Sequence, residues 1–227
     1  MAIKENLKKI HQRIDEVSHS QSVQLLAVSK TFGFDSIAQA IEAGERCFGE
    51  NYVQEAVEKI RYFKEALPQV ALEWHFIGPL QSNKTRLVAE HFDWVQSVDR
   101  EKIARRLSEQ RPSERGPLNV LIEVNIDQQD TKSGVSADEV RALAQTIASL
   151  PNLRLRGLMA IPEPAQDSES KRKPLRAMKA LFEELKSEGY PMDVLSMGMS
   201  SDMSEAIEEG ATMVRVGSAI FGERNYG

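Results

Sequence analysis

The sequence predicts a (β/α)8 barrel of the TIM type, built as one domain with an extra helix at its N-terminus. Three observations carry that prediction. Short apolar runs of strand character alternate with amphipathic helical stretches eight times along the chain. The length, 227 residues, suits one barrel and is enough to bury a sizeable core. No Gly/Ser-rich linker and no internal repeat divides the chain. The expected organisation is an N-terminal helix within 1–20 and a barrel over 23–222.

The elements follow in order. Ile3, Leu7, Ile10, Ile14 and Val17 recur at spacings of three and four, which makes residues 2–17 an amphipathic helix. VQLLAVSK (23–30) is strand one, and Ile37, Ala40 and Ile41 mark a helix that Gly44 ends. RCFGE (46–50) is strand two, with a helix from about 52 to 66. EWHFIG (73–78), DWVQSV (93–98) and LNVLIEVNI (118–126) are strands three to five, separated by helical stretches near 84–91 and 99–110. Ser136 and Glu139 form a capping box before the apolar face Val140, Leu143, Ala144 and Ile147. LRLRGLMAI (153–161) is strand six, and a helix following Pro174 buries Leu175, Met178, Leu181, Phe182 and Leu185. DVLSMGM (193–199) is strand seven, a short helix carries Met203, Ala206 and Ile207, and MVRVGSAIFG (213–222) is strand eight and its exit. Right-handed crossovers close eight such units into a barrel; an open doubly wound sheet is the rival. PEPAQDSESKRKP (162–174) reads as a polar loop, either a lid over the barrel or a solvated connection.

Composition excludes several function classes. A net charge of -5 argues against binding a nucleic-acid backbone, which needs a basic face. No apolar run reaches the ~18 residues of a membrane span, and the N-terminus lacks a signal-peptide core. The one cysteine, Cys47, has no internal disulfide partner. A reducing, cytoplasmic setting is expected.

Active sites in such barrels gather at the C-terminal ends of the strands. Lys30 ends strand one, Glu50 and Asn51 follow strand two, and His75 lies in strand three. Asn125 stands near the end of strand five. Ser196, Met199 and Ser200 end strand seven, while Arg215, Gly217 and Ser218 belong to strand eight. An amine at a dry barrel mouth loses solvation, so its pKa falls and the neutral nucleophile becomes available. Lys30 suits a Schiff base on that ground; a solvated strand-end lysine is the plain alternative. The loops around Gly198–Asp202 and Gly217–Ser218 present helix-start N–H groups, a phosphate-binding pattern when both act together. Simple N-capping by the serines or Asp202 is the alternative there. An inward Arg215 either donates to a ligand's ring nitrogen or pairs with Glu123 or another carboxylate.

Five stretches then resemble one family. AVSKT (27–31), FGENYVQEA (48–56), WHFIGPLQSNK (74–84), SMGMSSDMSEAI (196–207) and VRVGSAIFG (214–222) are similar in order and spacing to the pyridoxal phosphate homeostasis proteins, whose barrel is like the N-terminal domain of bacterial alanine racemase. The resemblance implies that pyridoxal 5′-phosphate (PLP) is the cofactor and Lys30 its Schiff-base lysine. It implies that Arg215 approaches the pyridine nitrogen and that Ser200, Gly217 and Ser218, with Met199 beside them, hold the phosphate. Asn51 and His75 would line the cofactor pocket. AVSKTFGFD lacks the second lysine or the proline that many relatives carry after the Schiff-base lysine.

The family reading implies a non-catalytic, monomeric PLP carrier in vitamin B6 balance, with PLP-dependent apoenzymes as partners. An amino-acid racemase or decarboxylase is the second reading. It needs a second acid/base group, which the racemases take from a further domain not expected here; only Tyr52 or Tyr226 stands near enough to replace it. A Schiff-base aldolase is the third, disfavoured because its lysine usually sits on a later strand.

Overall fold

The computed structural model describes residues 3–19, 21–130 and 133–224. Eight parallel strands close into a barrel in sequence order. They are β1 (Gln24–Val28), β2 (Cys47–Glu50), β3 (Glu73–Phe76), β4 (Trp94–Val98), β5 (Leu118–Glu123), β6 (Leu153–Met159), β7 (Val194–Ser196) and β8 (Met213–Val216). The helices are α1 (Ile3–Ser18), α2 (Phe34–Glu42), α3 (Val53–Ala66), α4 (Thr85–His91), α5 (Glu101–Gln110), α6 (Val140–Ala148), α7 (Ser168–Ser187), α8 (Met203–Glu208) and α9 (Ser218–Phe221).

Strand alternation sorts the side chains into two cores. Leu25 and Ala27 face outward and join Ile37, Ala40 and Phe48 in the layer between barrel and helices. Leu26 faces inward with Cys47, Met213 and Ile77. The β1–β8 register sets Leu26 beside Arg215, and the β2–β3 register sets Gly49 beside His75. Arg215 and His75 therefore point into the barrel. The extra helix α1 buries Ile3, Leu7, Ile10 and Ile14, and Asn6 Nδ2 donates to the Ile220 carbonyl at 2.8 Å.

Three expectations change. β1 stops at Val28, so Ser29 and Lys30 lie in the turn that follows. β8 stops at Val216, and Ser218–Phe221 form a short helix instead of strand exit. The segment 162–174 is not all loop: α7 begins at Ser168, capped by the Asp167 carboxylate accepting from Ser170 N–H at 2.9 Å. Pro174 lies within that helix. The Asp167 cap and ion pairs to α8 outweigh the single backbone bond the proline removes. Arg172 reaches Glu208 at 2.7 Å and Glu209 at 3.0 Å, and Lys171 Nζ donates to the Ser201 carbonyl at 2.9 Å. No helix among the described residues is long and apolar enough to cross a membrane.

Candidate functional site

Lys30 sits half-buried at the C-terminal mouth, and its amine makes no hydrogen bond or ion pair among the described residues. Burial lowers its pKa, and the Arg224 guanidinium lowers it further. The turn around it is anchored from behind. Lys59, buried on α3, donates to the Ser29 carbonyl at 2.9 Å, to both oxygens of Glu50 at 3.1 and 2.9 Å, and to Glu55 at 2.9 Å. Ser29 Oγ donates to Glu50 as well. Glu55 accepts the Thr31 N–H at 2.7 Å, and Thr31 holds φ at 69°. A β-branched residue rarely adopts that conformation, so the carboxylate fixes a strained step beside Lys30. Burial pushes the Glu50 carboxyl up to about 7 against the lowering effect of Lys59.

Arg215 is the second cation of the mouth. Its Nη1 donates to Ser196 Oγ at 2.7 Å and its Nη2 to the Ala160 carbonyl at 2.8 Å. Burial brings its pKa down to about 10, so it remains charged at neutral pH. Of the two readings left open for Arg215, these hydrogen bonds go to a hydroxyl and a carbonyl, while the charges of Asp202 and Glu123 raise its pKa. A cavity of about 250 Å³ opens here, lined by Arg215, Gly198, Met199, Asp202 and Ile161. A groove of about 490 Å³ lies at the other end, by Trp74, His91 and Asp93, and none of the anticipated site residues lines it.

The loops after β7 and β8 meet beside Arg215, whose N–H donates to the Gly198 carbonyl at 2.9 Å. Gly198 has φ +106°, and a Cβ there would lie 2.6 Å from that of Ala206. Asp202 makes no side-chain cap to α8; its Oδ1 takes the Met199 N–H at 2.7 Å. Met199, Ser200 and Ser218 are exposed on the rim and Gly217 is half-buried. Asn51 presents a buried Oδ1 with no hydrogen-bond partner among the described residues.

His75 departs from expectation. It is fully buried, with Nε2 2.7 Å from Glu73 and Nδ1 2.9 Å from Gln96 Nε2. Both ring nitrogens are engaged inside the barrel, so it does not share the mouth with Lys30. Tyr52 is an exposed residue preceding α3, and Tyr226 falls outside the described residues.

Sequence reasoning passed over Arg224. Its guanidinium donates to the carbonyls of Val28 at 3.2 Å and Lys30 at 3.3 Å and lies 5.2 Å from the Phe32 ring centre. A Cβ on Gly217 would lie 2.2 Å from its Nη2. A tail arginine carries no periodic signal that would have marked it.

Residues 1–225 match the family model of the alanine racemase N-terminal domain. A pyridoxal phosphate homeostasis protein of Vibrio cholerae is 55% identical over 230 residues, covering 99% of this chain and 98% of that protein. The chain belongs to the pyridoxal phosphate homeostasis protein family. An Escherichia coli member is 52% identical over 229 residues, covering 99% of this chain and 97% of its own. Among solved structures, PipY of Synechococcus elongatus with PLP bound is 34% identical with a TM-score of 0.85, covering 97% of this chain and all (100%) of that one. Alanine racemase of Corynebacterium glutamicum, 18% identical with a TM-score of 0.73, shares the fold; this chain covers 62% of its length. What this chain shares with the other pyridoxal phosphate homeostasis proteins is thus a whole barrel.

Proposed function

We propose that this chain holds PLP as a Schiff base on Lys30 and serves intracellular vitamin B6 homeostasis as a cytoplasmic, monomeric carrier without a reaction of its own. The observation that carries the reading is an unpartnered amine of lowered pKa at the barrel mouth, fixed from behind by Lys59, Glu50 and Glu55. The residues present fit the cofactor. The orphaned Asn51 Oδ1 awaits a donor, and Gly217 lets the Arg224 guanidinium lie against the backbone after β8.

Lys30 would form the covalent link, Arg215 would face the pyridine nitrogen, and Met199, Ser200, Gly217 and Ser218 would hold the phosphate, with Arg224 adding positive charge. When bound, PLP supplies an aldehyde carbon and an electron-withdrawing ring. A guanidinium held there would donate to the pyridine nitrogen and keep a proton off it, which would weaken the ring's electron withdrawal. Racemisation needs a second acid/base on the opposite face. Among the described mouth residues Lys30 is the amine left without a partner, whereas the Glu50 carboxyl is held by Lys59 and Ser29 behind the turn. PLP-dependent apoenzymes would be the acceptors, reached through the open rim at Met199 and Ser218.

The experiment is visible absorption of the protein with PLP, wild type and Lys30→Ala, followed by borohydride reduction and peptide mapping. A Schiff-base band in the wild type and a pyridoxyl group fixed on Lys30 are expected. No band at excess PLP, or a label on another lysine, would overturn the reading. Alanine racemisation above the free-cofactor rate would favour the enzyme instead.

A further inference from the structure

A chain of hydrogen bonds runs down the inside of the barrel from Arg215. Arg215 Nη1 lies 2.7 Å from Ser196 Oγ, and Ser196 Oγ lies 2.7 Å from Gln96 Oε1. Gln96 Nε2 lies 2.9 Å from His75 Nδ1, and His75 Nε2 lies 2.7 Å from Glu73 Oε1. The first four residues are buried, whereas the Glu73 side chain is 41% exposed at the N-terminal rim. Four links therefore join the cofactor mouth to the opposite end of the barrel.

Donor and acceptor chemistry assigns a direction to each link. A guanidinium can only donate, so Ser196 Oγ accepts from it. The serine has one hydrogen, which then goes to the Gln96 carbonyl oxygen. That orients the amide, whose nitrogen donates to His75 Nδ1. A bare Nδ1 leaves the ring hydrogen on Nε2, which donates to the Glu73 carboxylate. Burial lowers the pKa of His75, in the same direction as a ring whose Nδ1 accepts from the Gln96 amide. Stacking on Trp94, with ring centres 4.9 Å apart and planes at 11°, holds the imidazole in place. The chain begins at a cation and ends at an anion, so each dipole reinforces the next.

We propose that Ser196, Gln96 and His75 are positioning residues for Arg215: the chain fixes where the guanidinium points at the cofactor mouth. The proposal rests on the PLP reading of that mouth. The same logic disposes of a competing use of these side chains. Cys47, Glu73 and His75 offer donor atoms within 4.8 Å of one another, a zinc-like set. A metal would need the Nε2 lone pair, which requires moving the ring hydrogen and reversing the Gln96 amide against Ser196 and Arg215.

Side-chain 15N NMR of the cofactor-free protein tests the chain directly. In the wild type, His75 is expected to carry its hydrogen on Nε2 with Nδ1 bare. Gln96→Glu sets an oxygen against Nδ1, and the ring is expected to place a hydrogen there. With PLP added, Ser196→Ala and Gln96→Leu are expected to shift the visible band and weaken PLP retention about tenfold, as loss of a hydrogen bond to a charged group does. Ser196→Thr keeps the hydroxyl and should restore both. An Nδ1–H tautomer in the wild type, an unchanged band and affinity in Ser196→Ala, or zinc displacing the His75 signals would overturn the proposal. A wild type that never binds PLP would overturn the cofactor reading instead, while the tautomer in the cofactor-free protein would still decide the chain.

Discussion

Lys59→Met removes the cation that anchors the Lys30 turn while keeping most of the side-chain volume. Lys59 is 3% exposed and Glu50 is fully enclosed, so the variant leaves a carboxyl in the layer between barrel and α3 without its counter-charge. Breaking a buried pair from one side costs about 3–5 kcal/mol, which lowers Tm by roughly 6–20 °C at ~2–4 °C per kcal/mol for a chain of this size. The loss depends on pH, and its sign follows from Glu50. Burial already raises this carboxyl from the ordinary 4.5 to about 7, with Lys59 the foremost opposing influence. A folded-state value above the unfolded one means the native protein binds the extra proton, so stability falls as pH rises through that window. Without Lys59 the window extends above 7, and the deficit grows with pH. Melting curves followed by circular dichroism at about pH 6 and about pH 8.5 measure it, with the larger deficit expected at the higher pH. Adding Glu50→Gln should recover much of the loss at high pH. Equal deficits at both pH values, or no recovery in the double variant, would refute the account. The turn also suffers, because the Ser29 carbonyl loses its ammonium donor and Glu55 is released beside Thr31.

Two further outcomes follow from the mouth. Arg224→Gln removes a positive neighbour that lowers the Lys30 amine after burial, so the pH midpoint for PLP capture by Lys30 should move upward in an absorbance titration; an unmoved midpoint would exclude Arg224 from the site. Gly198→Ala places a Cβ 2.6 Å from Ala206 at φ +106°, and the combined strain and overpacking should cost roughly 2–4 kcal/mol in urea unfolding, with PLP retention falling as the loop below Arg215 shifts.

The barrel was legible because it is written locally. Leu25 and Ala27 alternate with Leu26, helix faces repeat at three and four, and Ser136 with Glu139 makes the capping box that the sequence announces. The stretch 162–174 departs from expectation: Pro174 suggests a boundary, although Asp167 and Glu169 already carry the signature of a helix start. The candidate site was legible as far as position, with Lys30 just after β1 and Arg215 on β8. It was opaque where the decisive partner is distant in sequence: Gln96 and Ser196 stand 100 residues apart, and Arg224 meets Val28 across 196. His75 shows the limit of placing a residue by its motif. Its inward direction follows from strand parity, but whether it serves the mouth or the interior depends on Gln96, which nothing near it in sequence announces.

The two cations of the mouth are held by opposite layers of the fold. Lys30 is fixed from the helical side, where Lys59 and Glu55 clasp Ser29 and Thr31. Arg215 is fixed from the barrel interior, through Ser196 and Gln96. Neither support uses a group that lines the cavity. Above them the rim is open: Met199, Ser200 and Ser218 are exposed. On the proposed carrier reading, fixed charges below an open rim would let a phosphorylated aldehyde enter and leave without rearranging the groups that hold it. An enzyme of this fold would need the opposite, a closed face that excludes water and brings a second proton donor. The division of labour between rigid floor and open rim therefore fits retention and release better than turnover.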